Sequence, residues 1–337
     1  MNRLLDVPVI DIAPWRHGNR QAVAEAVGRA VHDIGFLVIT GHGVDPGLVR
    51  AVQDVSDAFF DLPDAEKQRV LRPAPDIARG YIPLEAESVG RSQGFDVPGD
   101  LNESLMIGPV DVPDDPYFTG PAAGRHFHPN LWPAAPAALR GLYEAYFRAM
   151  GRLAEELMAL FALSLALPEK FFADKIDRHI SRLRVRNYPP PRVAPKPGQL
   201  RAGAHCDYGS LTILRAQDRP GGLQVQNGAG EWRDVPIAPD SFIVNIGELM
   251  ARWTNERWLA TLHRVVNPPA EQAAASRRLS LVFFHNPNYD AAVAALPGTV
   301  PEGAAPKYPP TTSGEHLRAQ FVRTQVSSPS PSGRGPG

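Results

Sequence analysis

From about residue 180 onward the chain is a succession of short β-rich runs separated by turn residues: SRLRVRNYPPP, SLTILRAQ, GGLQVQNGAGEWRDVP, SFIVNIGEL, LHRVVNPP and RRLSLVFFHNPN. No other feature narrows the fold as much. Short runs rich in Val, Ile, Leu and aromatic residues, punctuated by Gly, Pro and Asn, predict an all-β barrel or sandwich. The 29 Gly and 35 Pro among 337 residues are more than average usage, which supplies the turns and disfavours a mostly helical bundle.

Ahead of this region the pattern is mixed. VPVIDIAPW and GFLVITGHGV read as strands, whereas Val23, Val27, Val31 and Ile34 recur at helical spacing and stop at Gly35. Leu48, Val52, Val55 and Phe59 mark a second helix, and Leu139, Leu142, Tyr146, Met150, Leu153, Leu157 and Leu160 a long third one whose stripe needs no role beyond packing. The expected architecture is mainly β with flanking helices. Residues 7–125 form an N-terminal region that supports a core at 180–290, the whole making one structural unit. Residues 327–337, SSPSPSGRGPG, offer nothing to bury and are expected to form a disordered tail.

Charge and composition exclude several partners. A formal net charge of -1 with 21% charged residues provides no polyanion-binding face, so nucleic acid is not expected. The single cysteine, Cys206, rules out an internal disulfide and fits a reducing compartment. No signal-peptide core and no membrane-spanning apolar run is present, so the expectation is a cytoplasmic protein with no membrane partner.

The run AHCDYGSLTIL sets His205 two residues before Asp207. On an extended backbone both would project to one side, bringing an imidazole and a carboxylate together. His263, in the later β-branched run ATLHRVV, can supply a third ligand. Two histidines and one carboxylate with open positions suit non-haem Fe(II), with zinc as the alternative metal. In RRLSLVFF, Arg278 and Ser280 share a strand face and offer a guanidinium and a hydroxyl to a carboxylate. The alternative for Arg278 is a surface ion pair.

In this order the motifs VPVIDIAPW, DIGFLVITGHGV, FFDLPDAEK, RGYIPLEAE, GDLNESLMIG, NLWP, AHCDYGSLTIL, GGLQVQ, GEWRDVP, NIGELMARWTN, LHRVV and RRLSLVFFHNPN cover nearly the whole chain outside the tail. So ordered, the chain resembles the isopenicillin N synthase-like family of Fe(II)/2-oxoglutarate dioxygenases. The resemblance implies a distorted double-stranded β-helix, or jelly roll. It places Fe(II) on His205, Asp207 and His263, the 5-carboxylate of 2-oxoglutarate on Arg278 and Ser280, and a co-substrate contact on Tyr188. With O2, such enzymes hydroxylate or otherwise oxidise a C–H bond of a small molecule and release succinate and CO2; amino-acid or secondary metabolism is the expected setting.

The sequence departs from the family in two places. Arg186 stands where many members carry asparagine, and the segment from His263 to Arg278 is long, so an extended hairpin tip is expected there. Arg277 rivals Arg278, although only Arg278 is followed by a serine two positions on. Substrate choice is expected to lie in loops that include Arg79 to Ser92 and GDLNESLMIG, with His285 as a candidate substrate contact. Cys206 should point away from the ligands and pack, while His42, His126 and His128 read as structural or solvated. Two other readings stay open: an oxidase of the same fold that uses O2 and Fe(II) without 2-oxoglutarate, and a non-catalytic ligand-binding barrel. The substrate and the oligomeric state are not legible.

Overall fold

Strands apolar on both faces must be covered on both sides. In the computed structural model, which describes residues 6–95, 97–191 and 193–324, this is done with helices on one side and a second sheet on the other. The expected tail, 327–337, lies outside the described residues. The strands are β1 (Val9–Asp11), β2 (Phe36–Thr40), β3 (Gly80–Ile82), β4 (Glu103–Ile107), β5 (Arg182–Tyr188), β6 (Ala202–His205), β7 (Leu211–Ala216), β8 (Leu223–Gln226), β9 (Trp232–Asp234), β10 (Phe242–Ile246), β11 (His263–Val265) and β12 (Arg278–His285). Eight of them form a sheet in the order β1-β2-β10-β7-β12-β5-β4-β3, and four form a smaller one, β6-β11-β8-β9. Two facing sheets with helices outside are the jelly-roll arrangement that the strand-rich half predicts.

The helices follow their apolar stripes. Arg20–Asp33 buries Val23, Val27 and Val31, and Pro46–Phe60 buries Val52, Val55 and Phe59. The second begins at Asp45, whose side chain accepts a 2.7 Å hydrogen bond from the Gly47 N–H and so satisfies one of the free donors of a helix start. Leu139–Ser164 buries Tyr146, Met150, Leu153, Leu157 and Leu160 and packs on the two earlier helices as well as on β7 and β12 of the large sheet. These side chains share one core cluster with Leu279, Leu281 and Phe283 of β12. Between the sheets a second cluster gathers Phe36, Val38, Leu223, Val225, Ile243 and Val265.

The long segment after His263 is not a hairpin tip. β11 pairs with β6 and β8 in the small sheet, whereas β12 pairs with β5 and β7 in the large one. The intervening chain, with a 3-10 turn at Ala270–Ala275, therefore crosses between sheets. That is why it must be long.

Candidate metal centre and active site

His205 and His263 face each other across the β6–β11 pair, at the same register position. Their ring centroids lie 4.3 Å apart. Asp207 is not on the strand: β6 ends at His205, and the carboxylate arrives from the turn that leads to β7. Convergence therefore comes from the irregular segment that links the two sheets and not from a shared strand face. Asp207 Oδ1 lies 3.7 Å from Nε2 of each histidine, and one ligand atom from each of the three buried residues falls within 4.8 Å of the others.

Each partner is fixed from behind. His205 Nδ1 is 2.8 Å from the Gly203 carbonyl and His263 Nδ1 is 3.0 Å from the Thr261 carbonyl. A carbonyl only accepts, so both Nδ1 atoms carry the hydrogen and both Nε2 lone pairs face the centre. Thr212 Oγ1 and Asn245 Nδ2 donate to Asp207 Oδ2 at 2.6 and 2.7 Å, leaving Oδ1 turned toward the imidazoles. The turn itself is clamped, because the Glu248 N–H donates to the Asp207 carbonyl at 2.8 Å and the Leu249 N–H to the Gly209 carbonyl at 3.1 Å. This approach is so close that a methyl group at Gly247 would collide with the Gly209 carbonyl.

Burial, reinforced by His263, holds the His205 pKa well below the ordinary imidazole value against the pull of Asp207. Burial alone would raise Asp207, but the two imidazoles and the Asn245 and Thr212 hydrogen bonds outweigh it and keep the carboxylate ionised. A neutral imidazole beside a buried carboxylate, with their free lone pairs converging, is a donor set that fits a divalent metal with open positions.

Two cavities meet at this centre, sharing Arg186, His205, Asp207 and Phe284. The smaller, between the sheets, is lined by Tyr188, Leu223, Val265, Arg278 and Ser280 among others. Arg278 is buried, its Nη1 donates to the Gly221 carbonyl at 2.7 Å, and its Nε is buried without a hydrogen-bond partner. An orphaned guanidinium donor in a largely apolar slot calls for an anionic ligand. Arg277 lies on the opposite side, bound to Asp61 at 2.5 Å and Asp57 at 3.1 Å. It is a surface ion pair and no rival.

The larger cavity has a volume of about 310 Å³. Glu87, Ser88 and Val89 come from the first loop expected to choose substrate, and Met106 from the second. His285 is placed differently from expectation. Alternation along β12 turns Arg278, Ser280, Val282 and Phe284 to the cavities and sends His285 to the helix side, where Nδ1 meets Ser210 Oγ at 2.7 Å and the ring lies 5.7 Å from that of His179. Cys206 also differs, lining the larger cavity beside the ligands while its Sγ donates to the Ala260 carbonyl at 3.2 Å. The arginines Arg182 and Arg184 on this wall, and Thr212 and Asn245 behind Asp207, had no motif to announce them.

Comparison with known proteins agrees with this geometry. Residues 179–287 match the 2OG-Fe(II) oxygenase superfamily, and residues 7–135 match the family described as non-haem dioxygenase in morphine synthesis N-terminal. A 2-oxoglutarate-Fe(II) type oxidoreductase of Aspergillus fumigatus is 35% identical over 95% of this chain and 93% of its own length. Validamycin A dioxygenase of Streptomyces hygroscopicus subsp. limoneus is 31% identical over 94% and 86%. A full-length Neurospora crassa protein, crystallised in complex with alpha-KG and thymine, superposes with a TM-score of 0.82 at 30% identity, over 96% of this chain and 98% of that one. The chain therefore belongs to the 2OG-Fe(II) oxygenase superfamily, as an isopenicillin N synthase-like, Fe(II)- and 2-oxoglutarate-dependent oxidoreductase.

Proposed function

We propose that His205, Asp207 and His263 hold the Fe(II), that Arg278 and Ser280 hold the distal carboxylate of 2-oxoglutarate beside Tyr188, and that the larger cavity takes a small organic substrate. The observation that carries the reading is the pairing, across one cavity, of a three-donor cluster with the unpartnered, buried Nε of Arg278. Bound together with O2, iron and 2-oxoglutarate supply the oxidising power for a substrate C–H bond, with succinate and CO2 as by-products.

The protein's own groups do the rest. The Gly221 carbonyl fixes the guanidinium so that its remaining donors face the slot, which prepays the ordering of a bidentate contact. Leu214, Leu223, Val265 and Val282 keep the slot apolar and exclude water from the ion pair formed there. A cavity of about 310 Å³ suits a small molecule. Validamycin A dioxygenase among the relatives and thymine in the Neurospora crassa complex support small-molecule chemistry, and the former supports a setting in secondary metabolism. Among the described residues no helix is long and apolar enough to cross a membrane.

Measuring 2-oxoglutarate dependence and succinate formation tests the reading. Arg278→Ala strands a buried carboxylate, which costs roughly 2 to 5 kcal/mol, or about 30- to 3,000-fold in 2-oxoglutarate affinity. Arg278→Lys recovers little because an ammonium lacks the planar fork. Arg277→Ala leaves 2-oxoglutarate dependence unchanged, and iron affinity stays at the wild-type value in all three. Turnover without any 2-oxoglutarate would overturn the assignment in favour of the oxidase.

A further inference from the structure

β5 carries a row of like charges on its inner face. Arg182, Arg184 and Arg186 alternate there with Leu183 and Val185, and all three line the larger cavity. Such a row is self-repelling, and a sheet normally offsets it with acids on the neighbouring strands. Here the neighbours are neutral. On β12 the residues opposite Arg182, Arg184 and Arg186 are Phe284, Val282 and Ser280. On β4 those opposite Arg184 and Arg186 are Met106 and Ser104.

Nearby carboxylates are already committed. Glu87 is shared between Arg184, at 2.7 Å, and Arg72. Asp207 Oδ2 accepts from Thr212 and Asn245, and its Oδ1 faces the imidazoles. Asp100 accepts from the backbone N–H groups of Val89 and Gly203, both at 3.0 Å. Arg186, only 5% exposed, makes no hydrogen bond to any of them, and its Nε is buried and unpartnered. On the cavity wall Glu87 is thus bonded to Arg72 and Arg184, whereas Arg186 has no carboxylate bonded to it among the described residues. Asp100, Glu87 and Asp207 stabilise the Arg186 charge from nearby without bonding to it, so a buried guanidinium with a free donor stands where the substrate cavity reaches the metal centre and can still donate to an anionic ligand.

We infer that the substrate of this oxygenase is a small organic anion, a carboxylate or a phosphate ester, whose charged group docks on the β5 arginine row at Arg186. The inference rests on the functional reading above, since it assigns the occupant of the same larger cavity. The fork geometry of a guanidinium accepts either anion. Arg186 would then orient the substrate as well as bind it, because it stands in the same wall as His205 and Asp207.

The test is binding without turnover. Anaerobic holoenzyme with Fe(II) and saturating 2-oxoglutarate is titrated by calorimetry with benzoate, phenylacetate and phenyl phosphate. The neutral probes benzamide, phenylacetamide and phenol are titrated in parallel. Saturating 2-oxoglutarate keeps the probes off Arg278. The expected result is that at least one anion binds about tenfold or more tightly than its neutral counterpart, the factor carried by one charge-assisted hydrogen bond. Whether the carboxylates or the phosphate lead tells the two sources apart. Arg186→Gln abolishes this preference while retaining the visible Fe(II)/2-oxoglutarate absorption band. The inference is overturned if no anion binds the wild type, if the neutral probes bind as well, or if Arg186→Gln alters only 2-oxoglutarate affinity. Absence of the visible band from the wild-type protein would instead count against the functional reading.

Discussion

Asp207 shows how much of the candidate metal centre lies outside its three converging side chains. Its Oδ1 is available because Oδ2 is occupied by Thr212 and Asn245. Asn245→Leu keeps the volume of the side chain and removes one donor, so the carboxylate is freer to rotate and its charge is less stabilised. Iron affinity should fall about 10- to 100-fold, as for other groups that orient metal ligands, while the urea midpoint of the apo-protein changes little. Anaerobic Fe(II) titration checks this, and an unchanged dissociation constant would show that the hydrogen bond does not orient the ligand. The three residues that converge here were legible as metal-ligand candidates, because a histidine two residues from an aspartate ahead of a β-rich run, with a later histidine, is a pattern with chemical meaning. Thr212 and Asn245 were not. A threonine and an asparagine inside strands look like any other residues at those positions until β7 and β10 are seen to pair.

At the level of single elements, the sequence marks where the strands are better than which way they face. In SRLRVRNY, Arg182, Arg184 and Arg186 alternate with Leu183 and Val185, and the period alone does not say which of the two faces is inside. All seven residues of β5 are in fact buried, and the polar face is the inner one, toward the cavity. The same ambiguity hid His285, whose strand was recognised and whose side was not. On that helix side His179 stacks on Phe147 with ring centroids 5.9 Å apart, and its Nδ1 is buried without a partner. Burial lowers the His179 pKa from 6.5 to about 4. The unfolded chain therefore takes up the proton first, so the stability this residue contributes is complete above about pH 6.5 and drains away as the pH falls toward 4. Between neutral pH and pH 5 this single group should cost the fold roughly 2 kcal/mol. His179→Phe keeps an aromatic ring against Phe147 and cannot be protonated. Urea midpoints of the variant should decline less than those of the wild type between pH 7 and pH 5, and parallel curves would show that His179 does not titrate with unfolding.

The molecule as a whole depends on contacts that no local pattern announces. β10 lies between β2, from the N-terminal region, and β7 from the core, and the N-terminal strands β1, β2, β3 and β4 occupy both flanks of the large sheet. Pairings this distant in sequence leave no periodic trace, which is why a strand-rich core was legible and its strand order was not. The helix Ser313–Thr324 is a second case. Its Leu317 is 2% exposed, packs with Ala123, Phe127 and Ile180, and lines the larger cavity. Its His316 lies 3.1 Å from Glu248, and Gln320 donates to the same carboxylate. Glu248 in turn opens the short helix whose N–H groups clamp the Asp207 turn. The end of the chain is thus connected, through one glutamate, to the segment that presents Asp207. Ending the chain at Thr312 removes this cover without touching either sheet. Burial of Leu317 contributes about 2 kcal/mol, so the truncated protein should stay folded, with wild-type far-ultraviolet dichroism, and should retain the Fe(II)/2-oxoglutarate absorption band. What it loses is the wall that confines substrate and excludes water. The expected result is 2-oxoglutarate consumption that exceeds substrate oxidation several-fold, measured as succinate formed per oxidised product. A ratio of one, as in a fully coupled enzyme, would show that the helix is dispensable and that the cavity is closed by other elements.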